Sequence, residues 1–397
     1  MTVEITYPSL DGAECPYPQY EHLLREAPVY RVPGSNDFLV TAHALVSQAA
    51  KDWRTFSSAG SRSEHNPFNE TGSGKTTHSL IETDPPAHRA VRDLCAQAFK
   101  PSMLTARVPR IEAICDELLD GFAGRGTADL VGDYAEHVPL RVMADFLGFD
   151  EADFSWLSGW SRVDNGGLSF LPPEVQEAQR RDAQRATAAL SEVLLDRHAN
   201  PRDDGLSLLI RTYVEHADFD LDFLRDNVVT LIRGGVITTA HLIGMTMHLL
   251  LEHPPLLDAA AADDAVLRQL VEESLRVESP VQWTPRRVRV DTELGGVPIP
   301  AGSRVLLMWG AANRDGAVFP APEEFRAGRE NLAAQAAFGL GPHFCLGAPL
   351  ARLETTIALS TLLRRLAGIE LLPQDFDHAA SAQFRGLNHL YVRFELA

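Results

Sequence analysis

The feature that most restricts what this chain can fold into is a glycine-rich turn around one cysteine. It reads Phe338-Gly339-Leu340-Gly341-Pro342-His343-Phe344-Cys345-Leu346-Gly347-Ala348-Pro349 and runs into an apolar-periodic helical segment. Gly339, Gly341 and Gly347 allow a tight turn and the close approach of a flat partner to the backbone. Cys345 falls at the start of the following helix. There its sulfur is expected to meet unpaired N–H groups and the positive end of the helix dipole, both of which favour thiolate. A lone thiolate held by backbone donors suits an axial haem ligand. The competing reading is a buried cysteine in a turn, and that reading fits Cys95 and Cys115, which lie on helical faces.

Away from this turn the chain reads as mainly α with small β-sheets. Helical apolar spacing runs over 87–99, 110–122, 173–198, 223–252, 266–276 and 348–366. Strand-like pieces fall at 29–32, 38–41, 288–290, 305–308 and 390–394, too scattered for a doubly wound sheet or a barrel. Segments 60–78 and 164–173, rich in Gly, Ser, Asn or Pro, read as lid loops. No linker separates two halves, so 1–397 is expected to be a single domain. Lys+Arg 36 against Asp+Glu 54 gives a formal net charge of −18, which argues against a nucleic-acid partner. No run approaches the roughly 20 apolar residues that cross a bilayer, and 1–8 lacks the marks of a signal peptide. The cysteines, four in all, show no CxxC pairing. A cytoplasmic protein with reduced thiols, away from membranes, is the expectation.

The pattern FGxGxHxCxG resembles the haem-binding signature of the cytochrome P450 family, in its soluble bacterial form, and the resemblance covers nearly the whole chain. It implies that family's fold, with a long distal helix over the haem and the cysteine loop beneath it. It also implies haem b (iron protoporphyrin IX) with Cys345 as proximal ligand. Glu273-Ser274-Leu275-Arg276 puts a carboxylate and a guanidinium on one helix face, alone a surface pair of little worth. In the family an ExxR pair is buried and locked to a later arginine, here Arg329, so Glu273, Arg276 and Arg329 are expected to be structural. Asp84-Pro85-Pro86-Ala87-His88-Arg89-Ala90-Val91-Arg92 resembles the family's DPPxHxxxR helix start. Prolines suit a helix N-terminus, and His88 and Arg92, at i and i+4, can hold haem carboxylates. After Pro280, the family's propionate arginine corresponds to Arg286, with Arg287 as a competitor. His343 is the fourth propionate partner, unless it is a satisfied loop histidine.

Over the distal helix the family pattern resembles A/G-G-x-(Asp/Glu)-Thr-Thr, and this chain has Gly234-Gly235-Val236-Ile237-Thr238-Thr239. The glycines let oxygen and substrate approach the backbone. Thr238 takes the place of the hydroxyl that steadies oxygen protonation, while also able to bond back to the Gly234 carbonyl. Ile237 replaces the acid that relays protons, so delivery must come through water, a carbonyl or the substrate. Arg233, one turn before Ile237, stands where the family has an apolar residue that touches substrate. A buried guanidinium needs an anionic or multiply accepting partner: a substrate carboxylate, an internal acid, or solvent reached by snorkelling. Thr230, Val236, Ile237, Trp283, Thr284 and Phe384 complete the expected pocket wall by register.

The resemblance implies a haem-thiolate monooxygenase. It would insert one oxygen atom from O2 into a small hydrophobic organic substrate, or oxidatively couple or rearrange it, with Thr238 and Cys345 catalytic. The chain has no flavin or iron–sulfur module, so electrons are expected from a ferredoxin and an NAD(P)H-dependent ferredoxin reductase. That partner would dock on a basic patch drawn from Arg89, Lys100, Arg107, Arg110 or Arg352. The loss of the acid at Ile237 also fits a peroxide-driven or non-hydroxylating haem-thiolate oxidase. A non-catalytic haem-binding protein, and a cysteine hydrolase using Cys345 and His343, are the readings from other classes.

Overall fold

The structure, a computed structural model, describes residues 5, 14–61, 79–150, 153, 155–157, 173–379 and 381–397. The expected lid loops at 60–78 and 164–173 lie almost wholly outside the described residues. The helical part is built on Pro101–Asp120, His137–Leu147, Pro173–Ala199, Gly205–Val214, Leu221–Glu252, Asp264–Val277 and Ala348–Arg365. The 32-residue helix Leu221–Glu252 is the axis of this arrangement, about 48 Å long at 1.5 Å per residue. Asp220 caps it by accepting a hydrogen bond from the Phe223 N–H, satisfying one of the orphan donors of the first turn. Pro254 and Pro255 follow its end and open the next helix, because proline has no N–H with which to continue the ladder.

This distal helix packs against His137–Leu147, Asp264–Val277 and Ala348–Arg365, which wraps it in the main apolar core. It is long and apolar enough to cross a membrane, although the sequence showed no such run. However, 61% of its most apolar window is buried inside the protein, as befits a core helix.

The strands form three small sheets. Five strands run in the order Val29–Arg31, Asp37–Val40, Arg304–Leu307, Thr284–Val288, Phe56–Ser57. Among the described residues only Asp37–Val40 and Arg304–Leu307 pair parallel. Strand Tyr391–Leu396 sits between Thr127–Asp129 and Leu366–Leu371, and Thr292–Leu294 pairs with Val297–Ile299.

Two expectations shift. The helix expected over 110–122 starts at Pro101 and carries Pro109 inside it, so an internal proline does not end it. The strand expected at 288–290 is Thr284–Val288, drawn toward Arg304–Leu307 by register, and Val290 is left 57% exposed.

The Glu273–Arg276 pair is wholly buried, as is Arg329. Arg276 donates to both Glu273 oxygens at 2.8 and 2.9 Å, and Arg329 Nε donates to Glu273 Oε1 at 2.9 Å. The remaining guanidinium N–H groups donate to the carbonyls of Asn313, Pro320, Ala321, Pro322 and Glu324. Three buried charges are therefore tied, through hydrogen bonds, to the irregular segment that leads into the cysteine turn. The network closes on itself and on backbone carbonyls, as suits the structural role expected of it.

Candidate haem site

A cavity of about 370 Å³ lies between the distal helix and the cysteine turn, with mostly apolar walls. On its floor the turn is shaped by Gly339 and Gly341, both in the left-handed region at φ 72° and 74°. Gly341 also lies against the helix His43–Lys51, where a Cβ would fall 2.5 Å from the Ala50 carbonyl oxygen. The Cys345 N–H donates to the Phe338 carbonyl at 2.8 Å. The following helix begins only at Ala348, so Cys345 precedes it rather than opening it. Burial pushes the Cys345 thiol up, while the N–H groups of Gly347 and Ala348 pull it down. Those donors are the ones the sequence suggested; Arg92 and Arg352 also pull the thiol down, but burial outweighs them all.

One side of the cavity gathers four nitrogen groups from three separate segments. Asp84 fixes the first segment: it accepts from the Ser58 N–H at 2.9 Å and from Arg289 at 2.8 Å, and also from Ser57 Oγ. Burial raises the Asp84 carboxyl, but these hydrogen bonds prevail and hold it low. The helix Ala87–Ala96 thus presents His88 and Arg92 to the cavity, where Arg286 and His343 join them.

The His88 and His343 rings are 4.1 Å apart, and Nε2 of each is buried with no hydrogen-bond partner among the described residues. Burial, with Arg286 and His88 nearby, drives His343 down to about 3. Burial and Arg92 lower His88. Burial lowers Arg286 to about 10, and among the described residues its guanidinium donates only to Thr284 and the Pro285 carbonyl. Arg287 faces outward to the Gly60 and Gly302 carbonyls, so of the two arginines it is Arg286 that lines the cavity. Orphaned donors and uncompensated cations on one wall call for carboxylates. A haem carries two propionates, and the groups present fit them.

The roof is the distal helix. Gly234 faces open space, with nothing within 4 Å of where a Cβ would be. Thr238 Oγ1 donates to the Gly234 carbonyl at 2.7 Å, so the back-bonding reading is the one drawn here. Thr230, Arg233, Thr238, Trp283, Thr284 and Phe384 all line the cavity. Ser79 and Asp226 hold the Thr230 hydroxyl, Ala382 accepts from the Trp283 indole, and Thr284 accepts from Trp309 Nε1.

Val236 and Ile237 do not line it, which corrects the register expectation. Val236 is 2% exposed within the core cluster. The cavity face follows 230, 234 and 238, one helical turn apart, and leaves positions 236 and 237 off it. Sequence reasoning missed Leu80, Met143, Trp309 and Glu354, which also line the cavity. Of these, Glu354 is buried and makes no hydrogen bond among the described residues, and burial raises its carboxyl well above the ordinary range.

The basic docking patch is weaker than expected. Arg89, Arg107, Arg110 and Arg352 pair with Asp93, Asp145, Glu117 and Glu272 respectively, and only Lys100 is without an acidic partner among the described residues. The hydrolase reading also loses its geometry, because His343 packs on His88 and makes no hydrogen bond to Cys345.

A thiol on a glycine turn, a cavity between it and the distal helix, and donors along one wall that suit carboxylates fit a haem-thiolate protein. Comparison with known proteins agrees. The cytochrome P450 family model matches residues 167–375. The chain is 32% identical to 6-deoxyerythronolide B hydroxylase of Saccharopolyspora erythraea over 96% of both chains. It is 33% identical to the cytochrome P450 monooxygenase PikC of Streptomyces venezuelae, over 97% of this chain and 92% of that one. The solved structure of cytochrome P450 CYP109Q5 from Chondromyces apiculatus superposes with a TM-score of 0.87 at 32% identity, covering 100% of this chain and 98% of the other. The chain belongs to the cytochrome P450 family and is a monooxygenase of that family, with haem held through the Cys345 thiolate.

When bound, the haem supplies the oxygen activation, tuned by the electron-rich thiolate. The chain supplies the rest. Gly347 and Ala348 donate to the sulfur. Arg92 and Arg286 would neutralise the propionate edge, and the uncharged His88 and His343 would donate hydrogen bonds to it.

Proposed function

We propose that this monooxygenase, acting as one domain over 1–397, inserts one oxygen atom from O2 into a small, largely hydrophobic substrate that Arg233 engages through a carboxylate or another accepting group. The observation that carries this reading is the placement of Arg233 on the wall of an otherwise mainly apolar cavity. Thr230, Trp283, Thr284 and Phe384 bound the same space and would orient the substrate. Oxygen insertion is supported over coupling or rearrangement by relatives named as a hydroxylase and, in Salinispora arenicola, as cyclomarin C epoxidase CymV. The same names favour natural-product tailoring over catabolism of a foreign compound. A solved relative, P450BioI, is bound to hexadec-9Z-enoic acid on an acyl carrier protein, which supports room for an acyl-type substrate in a pocket of this fold.

Electrons would come from a ferredoxin and its NAD(P)H-dependent reductase, in the cytoplasm. Their entry face is the cysteine side, where Phe344 is 41% exposed beside Cys345 and Lys100 follows the cavity residue Phe99. With four of the five candidate arginines and lysine already paired, apolar contact at Phe344 would matter more than a broad basic patch.

The test is an optical titration of the ferric holoenzyme with hydrophobic carboxylic acids and their methyl esters, in wild type and Arg233→Ala. Acids should shift the haem band at least about tenfold more tightly than esters, about 1.4 kcal/mol, and the variant should abolish the difference. Equal binding of acids and esters removes the anchoring role and points to a neutral substrate.

A further inference from the structure

The distal helix carries a second polar feature, away from the haem wall. His241 lies four residues past Ile237 and three past Thr238, so it neighbours both on the helix surface. The tilt of helical side chains toward the N-terminus leans it toward them. His241 sits under the C-terminal loop, where a Cβ on Gly386 would fall 2.2 Å from its ring. His248 is on the same face two turns on, with its ring 4.3 Å from that of Phe376. The loop that carries Phe376 and Gly386 therefore spans the gap between the two histidines. His378, bridged antiparallel to Leu387 on the same loop, interacts electrostatically with both. At the far end His248 Nε2 is 3.5 Å from Glu252 Oε1, and the Glu252 side chain is 46% exposed.

Four of the six ring nitrogens in this file make no hydrogen bond among the described residues, His248 Nε2 having only its longer contact with Glu252. Nδ1 of His241, both nitrogens of His248 and Nδ1 of His378 are buried with no hydrogen-bond partner among the described residues. Such groups cost free energy unless water bridges them, and apolar side chains would fill the same space without that cost.

We propose that His241, His378 and His248, with water between them, form a proton relay from Glu252 at the surface to the Ile237–Thr238 turn, replacing the acid that Ile237 lacks. A neutral imidazole accepts a proton on one nitrogen and releases one from the other, so a file of them passes protons and ends unchanged. The overall reaction balances with this role. Substrate R–H, O2, two protons and two electrons from the ferredoxin give R–OH and water, and the relay supplies only the protons. The charged and titratable groups that face it are Glu252 and His253 at the end of the distal helix, Glu278 after the helix Asp264–Val277, and Asp377 and Arg385 in the C-terminal loop. Burial lowers all three imidazoles, His241 and His378 to about 4, so at neutral pH the file is uncharged and ready to pass a proton.

The inference rests on the oxygen-driven reading above. The experiment uses the holoenzyme with a plant-type ferredoxin and its reductase, and follows NADPH-driven O2 consumption in H2O and D2O. Wild type is compared with His241→Leu, His378→Leu and the double variant. Deuterium exchange at the histidine C2 positions, read by mass spectrometry, is measured independently of turnover. Each single variant should slow O2 consumption at least about tenfold and enlarge the solvent isotope effect. Because the steps are in series, the double variant should be no slower than the slower single one. In wild type all three C2 positions should exchange, marking contact with water. If a leucine variant fails to retain haem, His241→Gln and His378→Gln take its place, since an amide keeps polarity and bulk but passes no proton this way. Unchanged rates in both singles, losses that multiply in the double, or a His241 C2 position sealed from exchange overturn the relay. Wild type that turns over with peroxide but consumes no O2 with the reductase chain overturns the oxygen-driven reading itself, and the relay with it.

Discussion

Arg286 shows how much of this site is built for a group the polypeptide does not provide. It is 6% exposed and burial lowers its pKa, with Asp84 the one carboxylate acting on it. An under-compensated buried charge is a cost to the folded chain, and an apolar replacement is often neutral or stabilising. Arg286→Leu should therefore leave the thermal midpoint of the haem-free protein unchanged or raised, while haem transfer to apomyoglobin becomes markedly faster. A lower midpoint with unchanged haem transfer would make Arg286 a packing residue. The identities of His88, Arg92, Arg286 and His343 were legible from their motifs. Their convergence followed only from the resemblance, because residues hundreds of positions apart meet through the fold and not through any local pattern. Val236 and Ile237 were misplaced for a simpler reason: a motif gives residue types in order, whereas the face they present depends on a helical period counted from a wall that only the structure locates.

Within the elements, the distal helix and the ExxR network make separable predictions. Gly234 has open space around its absent Cβ, and alanine is favoured over glycine in a helix interior by about 1 kcal/mol. Gly234→Ala should raise the unfolding midpoint of the haem-free protein, while the added methyl enters the cavity and weakens ligand-induced shifts in the holoenzyme. Chemical denaturation and optical titration check the two halves. Arg329→Met leaves Glu273 with only Arg276 and strands the carbonyls of Pro320 and Ala321, so it should cost roughly 3–5 kcal/mol in a urea unfolding curve. The helices read from apolar period were found, apart from ends governed by Pro101 and Pro109, whereas shorter ones such as His137–Leu147 and Gly205–Val214 were not among them. The strand at Thr284–Val288 was read too late because its register is set by a partner remote in sequence. The histidine file went unread because its residues belong to no motif and meet only where the C-terminal loop crosses the helix.

Across the whole molecule, the buried histidines tie stability to pH. His241 and His378 are depressed to about 4 by burial, against about 6.5 in an unfolded chain. Between those values the unfolded state binds more protons, so stability rises with pH through this window and is lost as pH falls from about 6.5 toward 4. The thermal midpoint at pH 5 should lie below that at pH 7.5, and His241→Leu should flatten the difference. Equal midpoints would mean that these imidazoles titrate normally.

The central claim, that Cys345 holds a haem iron as thiolate at the floor of this cavity, is tested most directly by the carbon monoxide difference spectrum of the reduced protein. The red-shifted band of a thiolate-ligated haem should appear in wild type and vanish in Cys345→Ser. A band at the position given by neutral ligands in wild type, or one that survives the substitution, would contradict it.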